Sequence, residues 1–559
     1  MDKKVVELGD KLNQGYITRR EFLRRAAIVT GSWAAAAAAM QACVPAPSGA
    51  PTSAPPPPTT APEPAATATP VPPTATSGPK AGGTFISGRL SDAGCLDPQL
   101  DGTLTQQAQS FLIYSRLLKM GYDLGVQPDA AESYEVMDDG EQIVFKLREG
   151  VMWHPPIERE LTADDVKFTY SRLLKEGLGK SAFTTVQDIE VMDKYTVAFH
   201  LTQPDAGIMA SFAGIWGSLI CKEVVEKEGD LRNTAVGTGP FILEEWKVGE
   251  ETRFRKNPSY YVEGRPYLDN VVMKVIPEES SVVAALRANT IHHALLQDNK
   301  NYELLKDEPN LVGYRDARLG FDFLNINHKV PPFDKPEVAQ ALSWAIDREE
   351  ILQASTQGYA QLTAPLTPPM QVWQLPKEEW MPFYKPDLEK ARRLLAEAGV
   401  PNGFEVTLVV LATYPTIVSA AQVAQANLKR IGVDVTLENA EKAQWTKRVQ
   451  SNEFTLLGNA HPGAPDPDGV LYRLLHSQGA NRNGWNEPRA DKLLDEGRVT
   501  FEFAKRKSIY DELQLLLLET VPQIWYFCSD MINFTQKTVN GFKMHPTTFL
   551  LGFDEIWLS

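Results

Sequence analysis

Residues Gly320 to Ala354 read GFDFLNINHKVPPFDKPEVAQALSWAIDREEILQA, and this stretch decides the architecture. Phe321, Phe323, Leu324 and Ile326 are interleaved with Asp322, Asn325 and Asn327, the alternation of a strand with one wetter face. Pro331 and Pro332 end it. Asp334 is placed to accept hydrogen bonds from the free amides of a new helix, Pro336 sits in the first turn, and Val338, Leu342, Ala345 and Ile346 share one face at helical spacing. An extended segment running straight into a capped helix predicts a hinge, with the rest of the chain arranged on either side.

The chain has 559 residues, too many for one hydrophobic core, so at least two domains are expected. Its 43% hydrophobic and 23% charged residues are globular values. Residues 1–42 hold seven Lys/Arg against four Asp/Glu, so the formal charge of −15 becomes −18 for the remainder. An acidic surface of this kind argues against nucleic-acid binding, since phosphate contacts need a basic face. Cys43, Cys95, Cys221 and Cys528 form no CxxC pair, and the eight histidines are scattered, so no metal site and no cofactor are expected. His292 and His293 are adjacent and point apart in either helix or strand, which disfavours joint ligation. Gly179-Lys180-Ser181 imitates the end of a phosphate loop, but Leu174 stands where its first glycine is needed. No GxSxG, HExxH or GxGxxG follows a strand, and no catalytic residue is assigned.

Thr18-Arg19-Arg20-Glu21-Phe22-Leu23-Arg24 precedes an uncharged, mildly apolar run from Ala26 to Ala42, the layout of a twin-arginine export signal. Met40-Gln41-Ala42-Cys43 resembles a lipobox, in which Cys43 is lipidated and becomes the first mature residue. Cleavage at a small residue without lipid is the alternative. Val44 to Pro79 is almost entirely Pro, Ala, Thr and Ser, a composition that favours extended polyproline backbone. At about 3.1 Å per residue such a spacer reaches roughly 110 Å, which suits a protein tethered to the outer face of a membrane.

Further along, Gly83–Gly88 reads as a first strand followed by a turn at Asp97-Pro98, Gln106–Lys119 as a helix, and Gln142–Leu147 as a strand. In LREGVMWHPPIERELTADDVKFTYSRLL, Thr162 caps a helix whose first turn carries Asp164 and Asp165, helix charges rather than a catalytic pair. GTGPFILEEWKVGEETRFRKNPSYY reads as a hairpin turning at Val248-Gly249. Between Lys385 and Glu438 a helix, the strand Phe404–Leu411, a second helix and the strand Val433–Leu437 make a βαβ unit. Ligands in such sheets bind beyond the carboxyl ends of the strands.

These texts, with EKARRLLAEAGVPNGFEVTL and ANLKRIGVDVTLE, occur in the order found in the extracytoplasmic solute-binding proteins of family 5, the peptide/nickel type that serves ABC importers, and the chain resembles that family from about Gly82 to Ser559. The resemblance implies an α/β, two-lobed periplasmic-binding-protein-like fold of type II, with an extra subdomain in the first lobe and a hinge of two crossing segments near Arg318–Asn327 and Pro522–Phe527. The implied division is a signal peptide at 1–42, the lipidated Cys43 and linker at 43–80, first-lobe segments at 81–115, 213–318 and 525–559, an inserted subdomain at 116–212, and the second lobe at 319–524. It implies a monomer that is not an enzyme, captures a small solute between its lobes, and hands it to an ABC permease outside the cytoplasm.

The candidate ligand-binding residues are Trp445, where the family carries a stacking aromatic, His461 and Gly463 in the loop His461–Asp468, Trp485, Asn325, and Tyr526 in the second crossing. In peptide-binding members that loop presents an aspartate to the peptide's amino terminus. Here Gly463 or Ala464 occupies the position, and neither pairs with an ammonium. Asp466 is an alternative partner, although its place before Pro467 reads as turn chemistry. Oligopeptides and oligosaccharides both remain open as solutes, with an exported hydrolase or a ligand sensor as rivals from other classes.

Overall fold

The strand predicted around Phe323 forms over Phe321–Ile326, and five of its six residues are buried. The expected wetter face is not wet, because helices cover the second-lobe sheet on both sides. Leu324 and Ile326 pack into one apolar cluster with the helices Pro336–Ala345 and Pro415–Lys429. Phe321 and Phe323 pack into another with the helices Pro467–Leu475, Pro488–Val499 and Phe503–Thr520. The first helix has its proline in the first turn as predicted, but Lys335 takes the cap position and Asp334 does not cap it. A second helix, Arg348–Thr356, follows at once, capped by Asp347, which accepts from the amides of Glu349 and Glu350 at 3.1 and 3.0 Å.

The computed structural model describes residues 78–479, 483–547 and 552–559. The chain divides into two units, Met1–Thr76 and Ser77–Ser559, and only the second is described. The export signal, Cys43 and nearly all of the linker lie outside the described residues.

Two crossing segments hold the described unit together. Leu311–Ala317 and Phe321–Ile326 form one line of chain, and the 14-residue strand Gln523–Gln536 runs antiparallel beside both. Asp530–Gln536 pairs with Leu311–Ala317 and with His293–Leu296, whereas Gln523–Ser529 pairs with Phe321–Ile326 and with the short strand Ala360–Leu362. The change of lobe therefore falls at residues 318–320 on one segment and between Ser529 and Asp530 on the other, five residues beyond the expected boundary at 524/525. The amide of Arg318 donates to the Ser529 carbonyl at 3.1 Å across this crossing.

From the crossing, the first-lobe sheet continues through His293–Leu296, Thr84–Arg89, Asn270–Val275, Glu251–Lys256 and Phe241–Lys247. The second-lobe sheet continues through Leu456–His461, Glu405–Leu411 and Asp434–Ala440, the last two parallel as the βαβ reading requires. A separate four-stranded sheet, ordered Ala131–Met137, Gln142–Leu147, Thr196–Leu201, Val186–Asp193, lies within the segment expected to be an inserted subdomain. Its helix Ala163–Glu176 starts with the Thr162/Asp165 capping box. The helix expected over Gln106–Lys119 spans Leu104–Ile113 and gives way to the strand Leu118–Met120, because Tyr114 is extended and the chain turns there. Cys95, Cys221 and Cys528 are buried free thiols.

Candidate functional site

The register fixes which chain ends share an edge. In the second lobe Glu405–Leu411 runs parallel to its two neighbours, and Phe321 pairs with His461, so Leu411, Ala440, His461 and the start of the crossing strand lie together. The loops 412–414 and 462–465 leave from that edge beside residues 318–320. In the first lobe Thr84–Arg89, Asn270–Val275 and His293–Leu296 are parallel, and Leu296 pairs with Ile532, two residues from the crossing. The carboxyl ends of both sheets therefore converge on the hinge, the place where ligands bind in sheets of this kind.

Where the strand ends converge, Arg318 and Asp322 face each other. Arg318 Nη2 lies 3.4 Å from Asp322 Oδ1 and 3.3 Å from the Tyr414 hydroxyl, and Thr416 Oγ1 donates to Asp322 Oδ2 at 3.2 Å. Tyr414 precedes the helix Pro415–Lys429, so the Asp322 carboxylate also sits at the positive end of a helix dipole. Burial dominates nonetheless and lifts the Asp322 carboxyl to about 6 despite the guanidinium. Arg318 Nε is buried without a partner, while the side chain keeps 31% exposure. The pair is a compensated charge at the hinge that retains unused donor capacity.

Two glycines interlock the crossing with the crevice loop. A Cβ on Gly320 would stand 2.6 Å from the His461 carbonyl oxygen, and one on Gly463 would stand 2.2 Å from the Leu319 carbonyl oxygen. Gly463 also has φ +80°, where an L residue is strained. A side chain at 463 has no room in this arrangement, whereas Ala464, the other residue at the loop position, packs its methyl against the Phe321 and Phe323 cluster. Asp466 is already engaged. It caps the helix Pro467–Leu475 by accepting from the Asp468 amide at 2.9 Å, and its two oxygens take Arg506 Nη1 and Nη2 at 2.6 and 2.8 Å.

Of the residues proposed from the sequence, His461 and Gly463 lie at the crevice edge. His461 stacks on Phe321 at 5.4 Å, its Nδ1 accepts from the Gly463 amide at 3.0 Å, and burial, then Arg473, lowers the ring to about 4, so it is a neutral acceptor. Trp445 lies on the helix Lys442–Ser451 against Val409, Ala440, Phe454 and Leu457, and its Nε1 is buried without a partner. Asn325 is inside the sheet, opposite Leu457 and Gln523, with Oδ1 buried and unpartnered. Trp485 is packed into the cluster of Phe321 and Phe323. Tyr526 points into the opposite cluster with Leu324, Leu408 and Ile417 and not to the crevice edge, and its burial pushes the phenol up. In the first lobe, Asp97 of the Asp-Pro loop is fully buried on Arg172 at 2.7 Å, and Asp92 accepts from Trp246 Nε1 at 2.9 Å and the Gly249 amide at 2.8 Å.

Sequence spacing assigns no binding role to Arg318, Asp322, Tyr414 or Thr416. The available signal was an acid flanked by two phenylalanines. No group of three or more His, Cys, Asp or Glu placed to hold a metal occurs among the described residues, and no helix among them is long and apolar enough to cross a membrane.

Residues 125–482 match the family described as bacterial extracellular solute-binding proteins, family 5 Middle. The di/tripeptide-binding protein 1 of Pseudomonas aeruginosa is 31% identical over 75% of this chain and 84% of its own. HbpA2 from Haemophilus parasuis superposes with a TM-score of 0.79 at 25% identity, over 85% of this chain and all of that one. The A. tumefaciens protein AgaA, solved with agropinic acid, superposes with a TM-score of 0.69 at 26% identity, over 85% of this chain and 99% of that one. The two-lobed periplasmic-binding-protein fold is thus shared with solved structures.

Proposed function

Because this chain belongs to the bacterial extracellular solute-binding proteins of family 5, we propose that it captures an oligopeptide-like solute between its lobes and delivers it to an ABC permease. The observation that carries the reading is the convergence of both sheets' carboxyl ends on a two-segment hinge, with a charged pair, Arg318 and Asp322, where they converge. A solute that touches both lobes only when they are closed shifts the population toward the closed form, and a permease reads that form. The chemistry required is binding alone. The di/tripeptide name of a relative 31% identical supports a peptide.

A second reading, a non-peptide solute such as an oligosaccharide, is favoured by the absence of an acid from the loop position taken by Gly463 or Ala464, neither of which pairs with an ammonium. Binding of agropinic acid by a structural relative fits the same reading. We further propose export by the twin arginine Arg19-Arg20, lipidation at Cys43, and a monomer held outside the cytoplasmic membrane by that lipid.

A thermal-shift screen of the purified full chain tests the proposal, because a solute bound only by the folded form stabilises it by about 2.7 kcal/mol at a hundredfold excess over Kd. Peptides with a free amino terminus should raise the melting temperature by several degrees. A rise with oligosaccharides and none with peptides would transfer the function to the second reading.

A further inference from the structure

The first lobe holds a cavity at the edge of its sheet opposite the crevice. Tyr260 and Tyr261 follow the strand Glu251–Lys256, which runs antiparallel to Asn270–Val275, and Pro240 precedes Phe241, the partner of Lys256. These residues therefore sit at the amino-terminal edge of the parallel strands. The end of the helix Leu104–Ile113 and the hairpin of Leu118–Met120 with Val126–Pro128 lie against them. Between these elements is a space of about 230 Å³, lined in part by Arg116, Lys119, Tyr122, Tyr260 and Lys543. One water needs only about 10–15 Å³ of such space, so the cavity admits a larger molecule.

Arg116 is the buried charge of this cavity, with 6% exposure. Its amide donates to Asp129 Oδ2 at 2.9 Å, yet its Nη2 stays 3.7 Å from the same oxygen, beyond hydrogen-bond reach. Its guanidinium carbon lies 4.5 Å from the centre of the Phe111 ring. Nε and Nη1 are buried without a partner. An arginine cannot shed its proton to escape this, so the unmet donors are a standing cost. Asp129 is also engaged elsewhere, because its Oδ1 accepts from the Tyr261 hydroxyl at 2.5 Å.

The other charges leave a positive surplus. Glu555 lies 3.4 Å from Lys543 Nζ and 3.7 Å from Arg265 Nη2. Burial raises the Asp554 carboxyl, and Arg265 and Lys119 oppose that rise. Four cations, Arg116, Lys119, Arg265 and Lys543, thus meet three carboxylates, Asp129, Asp554 and Glu555. The side chain of Arg116 is the least exposed of the ion-paired cations among them.

We propose that this cavity is a second binding site, which takes a small organic carboxylate on Arg116 and holds its apolar body between the rings of Tyr122 and Tyr260. A carboxylate supplies both what the cavity lacks, acceptors for the unmet N–H groups and one negative charge, and its hydrogen bonds to a guanidinium are charge-assisted. A neutral molecule of the same shape supplies only the apolar contact. The site shares no residue with the hinge or the crevice loops, so it stands apart from the importer reading.

Amide hydrogen exchange of the full chain, with sodium benzoate at millimolar concentration as the probe, tests the site. Benzoate should slow exchange over 114–129 and 258–262, and benzamide, its uncharged counterpart, should not. Arg116→Gln removes the anchoring charge. Lys119→Glu, at an exposed side chain that leaves the core untouched, adds a carboxylate to the lining. Each should weaken benzoate binding by about tenfold or more. If Arg116→Gln does not fold, Lys119→Glu decides alone. Absence of protection, equal protection by benzamide, protection confined to 412–414 and 462–465, or unchanged affinity in the folded variants overturns the site.

Discussion

At the scale of single residues, Gly463 carries the most information. Its backbone is pressed on the Leu319 carbonyl at positive φ, so replacing it reports on both the crevice loop and the crossing. Gly463→Asp, which restores an acid where peptide-binding relatives are expected to have one, should cost about 1–3 kcal/mol of stability from strain and overlap and should not create an ammonium site. A denaturant titration checks this, and an unmoved midpoint would mean that the loop swings clear of Leu319. The Arg318–Asp322 pair sits at the other end of legibility. Asp322 could be read from the sequence as a polar residue in a strand, but its role depends on Tyr414 and Thr416, which lie 92 and 94 residues further along. Spacing along one element does not report such a pairing. Tyr526 and Trp485 illustrate the converse. An aromatic residue in a crossing strand or after a turn fits a crevice and a core equally well, and the face it takes is set by strand register.

At the scale of elements, apolar periodicity was a reliable guide. The strand Phe321–Ile326, the helix Pro336–Ala345 and the βαβ unit all form close to where their spacing puts them, because each has an apolar set that only one period can bury. Boundaries were less legible. The second crossing passes between lobes at Ser529/Asp530 and not near Phe527, since nothing within Gln523–Gln536 marks the point where its partners change. That strand is the mechanical link between the lobes. Leu324 pairs with Ile524 across it and is fully buried, so Leu324→Ala should cost about 2–5 kcal/mol. Because the same strand completes both sheets, calorimetry should show one transition displaced downward as a whole. A small early transition beside an unmoved main one would mean that the lobes melt independently.

At the scale of the whole molecule, the two crossing segments join the lobes into one mechanical unit. The loops 412–414 and 462–465 leave the second-lobe sheet beside residues 318–320 of the crossing. A bound solute that closes the lobes should slow amide hydrogen exchange in these loops and along the crossing together. Protection confined to the crevice loops would show that solute is held without closure. The strand order carries one more consequence, for the time course of synthesis. Every strand of the second-lobe sheet except Gln523–Ser529 leaves the ribosome as part of one uninterrupted block, whereas the first-lobe sheet waits for Asp530–Gln536, some two hundred residues after its own previous strand, Leu311–Ala317. The half of the protein that is made first is therefore the half that is finished last, and until the C-terminal residues emerge the nascent chain carries an open sheet edge along His293–Leu296 and Leu311–Ala317.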